Sequence, residues 1–440
     1  MSIANNTGCY IDTAFSGTGI AASFDLTRNT STLPQISWSI DGGAISSPVS
    51  IASTVTIASG LSAGNHTLRL YTKSMGDPNN ERWNPPIVDA VYFVGFAVTG
   101  GTIALPPVST KKRIQYFGDS ITEGLWIYGA PPNTPADFAD GPNAWPAQIA
   151  RGLGCDWRQT AFGGTGLAAG GTGNAPAAGN SLGYVYAGTP DDNEQPDIVV
   201  LNYGANDISV PPATYLTAVG AYLTAVRAKY PSATIVQVRA YGGAQEFVTL
   251  AALRAFAPGD GNTLYVDTSG YGLVSGDYNA GHPNVTGTTK IVTQLQPTLS
   301  NILTPTTTWI SFLSATSGGW ASQSFSIFGV GLSGATSVTI GGVSCAITAN
   351  TARMITVTTP AKTANTTAQD VVLTLPSGTI TLAAAYTFLW QPTDSVSVAL
   401  GGVWFNADAG VTTVSTHVTA WVDGSGNGWN AAGAGTWTVV

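Results

Sequence analysis

Between residues 107 and 304 the chain repeats one rhythm: an apolar β-branched run, a loop, then a helically spaced segment. Few folds accept that pattern. Strand-like runs fall at 113–117, 157–162, 197–203, 234–239 and 264–266. Between them, 145–153, 214–229 and 246–256 carry helical spacing, as in Leu216, Val219, Leu223 and Val226. Strands that alternate with helices form a parallel sheet covered on both faces. Ligands of such a sheet bind beyond the carboxyl ends of its strands, so functional residues are expected there.

Those ends carry distinctive residues. The first run, Ile114-Gln115-Tyr116-Phe117, stops at Gly118-Asp119-Ser120, which delivers a small hydroxyl onto a turn within reach of neighbouring loops. Gly-Asp-Ser is also ordinary turn chemistry, and its weight comes from its company. Gly163-Gly164-Thr165-Gly166 follows the second run and Gly204-Ala205-Asn206-Asp207 the third. His282-Pro283-Asn284 lies after the last, ahead of a helix beginning near Thr286. Singly, each reads as a turn. His282 stands apart as the one histidine of this segment, so an imidazole base is available at one position only. A dinucleotide loop at Gly164, Gly166 and Gly170 is a distant rival, because no acidic residue stands at the distance a ribose requires.

The flanking segments read differently. Residues 1–106 hold β-rich stretches at 35–40, 54–57, 66–71 and 90–98, with Asp41-Gly42-Gly43 and Ala63-Gly64-Asn65 as turns and no convincing helix. A β-sandwich is expected. The length of 440 residues implies about three domains. Charged residues are only 9%, against roughly 25% in an average soluble protein, which suits a β-rich protein working outside a cell or on a virion. The net charge of −8 argues against nucleic acid or an anionic membrane as partner. Cys9, Cys155 and Cys345 lie in different segments and form no disulfide framework, and His66, His282 and His417 are too far apart for metal-ligand spacing. No metal and no cofactor are expected. The opening Met-Ser-Ile-Ala-Asn-Asn lacks a signal-peptide pattern, and the most apolar stretch, 87–98, is too short to span a membrane and holds Asp89.

Taken in order, Gly-Asp-Ser, Gly, Gly-x-Asn-Asp and His-Pro resemble the block pattern of the SGNH or GDSL hydrolase superfamily, over most of 107–304. The resemblance implies a central flavodoxin-like α/β/α domain in a multidomain chain. It implies Ser120 as nucleophile, His282 as general base and then acid, and an oxyanion hole made by the backbone N–H groups of Ser120 and Gly164 and the side-chain amide of Asn206. Gly164 is preferred over Gly163 because the family's glycine stands three residues after a small one, here Ala161. Where the family has Asp three residues before the histidine, this chain has Asn279, which cannot stabilise an imidazolium by charge. Asp277 is therefore the preferred partner of His282, and a Ser-His dyad held by a backbone carbonyl is the alternative.

The β-rich start followed by Gly-Asp-Ser-Ile-Thr is similar to the second family of carbohydrate esterases, a jelly-roll joined to an SGNH domain, as are the segments 63–70 and 93–96. The implied substrate is an acetyl ester on an oligo- or polysaccharide, with Trp126, Tyr128 and Trp145 as candidate stacking residues, Trp145 reading more readily as core. Residues 305–391 resemble an IPT/TIG immunoglobulin-like domain through 328–332, 337–342 and 355–360, and 392–440 resemble the start of a concanavalin-like domain through 404–410 and 421–428. Two alternatives remain: a short-chain aryl or lipid esterase, which the same blocks serve, and a non-catalytic adhesion or virion protein that binds carbohydrate.

Overall fold

The computed structural model describes residues 2–29, 32–88, 90–106, 108–131, 135–318, 322–361, 367–389, 411–414, 417–421 and 431–438. Two compact units result, Met1–Ser314 with Phe328–Gly331, and Ala315–Ile327 with Leu332–Val440.

The first unit opens with β1 (Ser2–Ala4), β2 (Tyr10–Phe24), β3 (Gln35–Ile40), β4 (Val49–Ser50), β5 (Thr54–Ser74), β6 (Val91–Thr99) and β7 (Thr102–Ala104). All seven join one antiparallel sheet in the order β1-β6-β2-β5-β3-β4, with β7 also on β2, where the two separate sheets of a sandwich were expected. Strand length explains the difference. β2 and β5 run for 15 and 21 residues, long enough to serve both sides of one core. That core gathers Phe15, Ile20, Phe24, Ile36, Leu68 and Leu70. Along β2 the buried positions are Thr13, Phe15, Gly17 and Gly19, then Ile20, Ala22 and Phe24. The phase changes at an irregularity between Ile20 and Ala21, so a bulge keeps apolar side chains inward along the whole strand.

The same unit continues with β8 (Arg113–Gly118), α1 (Ser120–Glu123), α2 (Pro135–Phe138), α3 (Trp145–Gly152), β9 (Asp156–Ala161) and α4 (Ala178–Ser181). A hairpin of β10 (Tyr184–Tyr186) and β11 (Thr189–Pro190) leads to β12 (Ile198–Asn202), α5 (Pro212–Lys229), β13 (Thr234–Val238), α6 (Glu246–Asp260) and β14 (Thr263–Val266). A second hairpin, β15 (Tyr278–Asn279) and β16 (His282–Pro283), precedes α7 (Val285–Leu303) and β17 (Trp309–Leu313).

Five strands form a parallel sheet in the order β14-β13-β12-β8-β9. β12, β13 and β14 are buried at every position, as strands covered on both faces must be. The helices pair as α3 with α7 and α5 with α6. The chain leaves β8 for β9 on one side and later sets β12 on the other, so the strand order reverses at β8. Such a reversal opens a crevice at the carboxyl ends. Asn202, Gly118 and Ala161 lie in register there, which draws the loops that follow them together.

After β17, β18 (Ser317–Gly318), β19 (Ser324–Val330, its last three residues counted with the first unit), β20 (Ser337–Ile340), β21 (Val343–Asn350), β22 (Met354–Thr358), β23 (Gln369–Leu375) and β24 (Gly378–Phe388) follow the order β19-β22-β21-β20-β23-β24-β18. β20 and β22 alternate buried and half-buried positions, the pattern of strands with one face on a core. Val411–Val414, His417–Trp421 and Ala431–Thr438 pair as three antiparallel strands. The segments on which the concanavalin-like resemblance rests, 404–410 and 422–428, lie outside the described residues.

Candidate active site

Ser120 owes its position to the two residues before it. A Cβ on Gly118 would lie 2.1 Å from Thr122 Oγ1, so only glycine lets α1 turn back onto the end of β8. Asp119 caps α1 by accepting a hydrogen bond from the Ile121 N–H at 2.9 Å. Ser120 thus becomes the first residue of α1, and its Oγ lies 2.7 Å from His282 Nε2.

His282 arrives on the β15-β16 hairpin, in which it pairs with Asn279. The two turn residues, Ala280 and Gly281, have φ of 47° and 79°, as a two-residue hairpin with left-handed central residues demands. The turn sets the Ala280 carbonyl 2.8 Å from His282 Nδ1. A carbonyl only accepts, so Nδ1 carries the proton and the Nε2 lone pair faces the Ser120 hydroxyl. Burial lowers the imidazole pKa from its ordinary 6.5, against the opposing pull of the Ala280 and Asn279 backbone. A base that stays neutral at pH 7 is ready to take a proton.

Asp277 does not fill the place expected of it. Its carboxylate lies 2.7 Å from Lys290 Nζ and accepts the Val274 N–H at 2.8 Å, and both partners hold its pKa below the usual range. With Nδ1 already bonded to Ala280, the imidazole offers a carboxylate no free donor. Asn279 stands apart as well: its Nδ2 donates to the Trp126 carbonyl at 2.9 Å and the Ile127 carbonyl at 3.2 Å.

On the other side of Ser120, a Cβ on Gly163 would meet Thr172 Oγ1 at 3.0 Å, Glu123 Oε2 at 3.5 Å and Ser120 Cβ at 3.7 Å, and one on Gly164, at φ 74°, would meet the backbone of Thr172 and Gly171. The pair thus brings backbone free of side chains beside the nucleophile, with the Gly164 N–H on the peptide that joins them. Asn206 Nδ2 donates to Asp119 Oδ2 and to the Thr165 carbonyl, each at 3.1 Å. The Asp119 carboxyl is pushed up to about 7, first by burial and further by the Asp207 charge, against the Ile121 N–H. Asp207, wholly buried, accepts the N–H groups of Leu167, Ala168 and Ala169 at 2.9, 2.9 and 3.2 Å and so fixes the loop after β9. Gly166 makes room for it, since a Cβ there would fall 2.3 Å from Asp207 Oδ1.

Sequence reasoning missed an ion pair beneath α1. Arg82 Nη1 and Glu123 Oε1 are 2.8 Å apart, with side chains 0% and 2% exposed. Arg82 also donates to the Asn5 carbonyl and lies 5.2 Å from the Phe162 ring centre. Thr7 Oγ1 donates to the Glu123 carbonyl at 2.5 Å, and Asn6 Oδ1 accepts the Ala161 N–H at 2.8 Å. The N-terminal sheet and its loops therefore build the floor of the site. In a chain so poor in charge, an arginine between Glu81 and Trp83 was the available signal, and nothing in the sequence pairs it with Glu123.

Of the aromatic candidates, Trp145 is core, 1% exposed and edge-on to Tyr116 and Tyr241. Trp126 is nearly covered, while Tyr128 is 45% exposed and donates through its hydroxyl to Asp140. Ile208, Phe247, Val274 and Val285 are exposed apolar residues on segments that follow β12, β13 and β14, at the same end of the sheet as Ser120.

The doubly wound sheet and the serine–histidine pair at its switch point resemble a hydrolase domain of the GDSL/SGNH type. Residues 116–288 match the GDSL-like lipase/acylhydrolase family. The cellulase/esterase CelE of Acetivibrio thermocellus is 29% identical over 194 residues, which are 42% of this chain and 22% of that relative's length. Among solved structures, a family two carbohydrate esterase from Clostridium thermocellum in complex with cellohexaose aligns with a TM-score of 0.58 and 22% identity, over 68% of this chain and 94% of that one. A family two carbohydrate esterase from Cellvibrio japonicus aligns at 0.57 and 18%, over 68% and 90%. The shared fold includes a β-rich N-terminal region ahead of the hydrolase domain.

Proposed function

We propose that this chain is a serine esterase that removes acetyl groups from extracellular carbohydrate through an acyl-enzyme. The observation that carries this reading is the 2.7 Å contact of Ser120 Oγ with His282 Nε2, in a histidine whose Nδ1–H is held by the Ala280 carbonyl. In the reaction, His282 Nε2 takes the hydroxyl proton as Oγ bonds to the ester carbonyl carbon. The same proton passes to the sugar oxygen as its bond to that carbon breaks, leaving acetyl on Ser120. Water then attacks with His282 again as base, and acetate leaves as the proton returns to Oγ. The developing oxyanion is received by the N–H groups of Ser120 and Gly164 and by the Asn206 amide, which must release one of its two present acceptors. No charge from Asp277 enters any step.

The cellohexaose bound by the Clostridium thermocellum structure supports a carbohydrate substrate, as does Tyr128, half-exposed on the segment that follows the nucleophile helix. In this reading 1–106 is the β-domain, 107–304 the catalytic domain, 305–391 an IPT/TIG-like spacer and 392–440 a concanavalin-like segment. The test is release of acetate from acetylated oligosaccharides against hydrolysis of longer acyl esters of nitrophenol, with Ser120→Ala as control. A strong preference for acetyl is expected, with the variant down by about three orders of magnitude or more. A short-chain aryl or lipid esterase is the second reading, favoured by Ile208, on the loop after β12, and Phe247, in the first turn of α6, 75% and 83% exposed. Comparable rates on long acyl chains would establish it.

A further inference from the structure

We propose that Asn279 is a positioning residue: its side-chain amide clips the histidine hairpin to the nucleophile loop, and an aspartate in its place weakens the site instead of completing a triad. The inference rests on the reading of Ser120 and His282 as the catalytic pair.

The clip has two ends. At one, Asn279 sits opposite His282 in the hairpin register, so whatever fixes Asn279 fixes the imidazole. At the other, Nδ2 donates both its hydrogens to consecutive carbonyls, Trp126 at 2.9 Å and Ile127 at 3.2 Å. Those carbonyls belong to the segment that leaves α1, and the residue before them, Leu125, donates its N–H to the Ser120 carbonyl at 3.0 Å. A short run of hydrogen bonds thus connects the nucleophile's own backbone to the residue that faces its base. Both ends hold non-glycine residues in left-handed backbone, Trp126 at φ 61° and Ala280 at φ 47°. Such conformations cost about 1–2 kcal/mol each and persist where the surroundings enforce them. The clip is one contact that does so at both places.

The chemistry of the clip excludes a carboxylate. Two carbonyl oxygens converge on position 279, and each requires a donor. An amide nitrogen supplies two hydrogens, whereas an ionised aspartate supplies none and sets its charge against both oxygens. Nor does the imidazole need that carboxylate, since Nδ1 already donates to Ala280 at 2.8 Å. An aspartate would separate the hairpin from the nucleophile loop, and a displacement of about 1 Å at a reacting pair costs about a hundredfold in rate.

The experiment compares wild type, Asn279→Ala and Asn279→Asp in kcat, in the pH profile of kcat/KM, and in the rate at which a phosphonate ester labels Ser120, with thermal melts of each. Both variants are expected to lose about tenfold to a hundredfold in kcat and to label more slowly by a similar factor. The acid limb of Asn279→Asp is expected to stay where that of wild type lies. Asn279→Asp at or above the wild-type kcat, with its acid limb moved to higher pH, would show that the carboxylate has joined the imidazole and would overturn the inference. So would Asn279→Ala with wild-type kcat and labelling, which needs only that variant to fold. A wild type that is not labelled at Ser120 overturns the catalytic reading itself, whereas a labelled wild type with an unaffected Asn279→Ala overturns the clip alone.

Discussion

A carbonyl where a carboxylate was expected changes what His282 can do. The Ala280 oxygen orients the ring and fixes its tautomer but contributes no unit charge, so burial is the largest influence on the imidazole and lowers its pKa. The neutral form is the active base, and it persists down to the folded-state pKa. The acid limb of kcat/KM is therefore expected below 6.5, with activity lost as pH falls through it. Asp277→Asn should leave that limb in place and kcat within about threefold, because the pair it breaks is with a partly exposed Lys290 and the imidazole Nδ1–H is held by Ala280 instead. A limb displaced by that substitution would restore Asp277 to the site. Asp119 titrates the other way. Its folded-state pKa, about 7, stands above the ordinary aspartate value of 3.8, so the stability it contributes is complete below about pH 4 and is lost as pH rises towards 7. Asn at this position caps α1 equally well and carries no charge. In urea melts at pH 5 and pH 8, Asp119→Asn should therefore gain on wild type with rising pH, by about 2–3 kcal/mol. A constant difference would mean that Asp119 is ionised throughout.

The elements show which parts of the site a sequence can announce. β8, β12 and the helix after β12 were legible because hydrophobic period and strand-end glycines are local properties, and Ser120, singled out at the end of β8, lies 2.7 Å from His282, singled out as the one histidine of 107–304. The Ala280 contact depends on a hairpin turn with left-handed alanine, and the Asn279 clip depends on where Trp126 points its carbonyl; neither has a periodic signature. β2 escaped altogether for a related reason, since its buried positions change phase at Ile20 and no single alternation runs through it. The Arg82–Glu123 pair joins elements far apart in sequence, so pattern reading cannot reach it. Removing either partner strands a buried charge, and Arg82→Ala and Glu123→Ala should each cost about 3–5 kcal/mol. Arg82→Met combined with Glu123→Leu removes both charges and keeps volume, and it should unfold in denaturant closer to wild type than either single variant. A double variant as unstable as the sum of the singles would show that the two side chains act independently.

At the scale of the whole molecule, the question is how much chain the chemistry needs. The first compact unit extends past α7 to Ser314, because β17 lies along β14: Ser311 Oγ accepts the Tyr265 N–H at 2.7 Å and donates to the Tyr265 carbonyl at 2.6 Å, and Arg254 Nε donates to the Leu313 carbonyl at 3.2 Å. None of these groups is near Ser120 in the strand order, since β14 is the far edge of the parallel sheet. A chain ending at 314, which also lacks Phe328–Gly331 of the first unit, should therefore hydrolyse nitrophenyl acetate within about twofold of the full protein. A chain ending at 304 loses three hydrogen bonds worth about 1 kcal/mol each and exposes an edge strand, so its melting temperature should fall by several degrees more. Removing residues 1–106 is a different operation, because it takes away Thr7, Asn6 and Arg82 and leaves Glu123 buried without its cation. That truncation should yield insoluble or unfolded protein, whatever substrate is offered. Equal melting temperatures for the chains ending at 304 and 314 would show that β17 adds nothing to the catalytic unit. Loss of nitrophenyl acetate turnover in the chain ending at 314, with folding intact by circular dichroism, would show that the second unit takes part in catalysis.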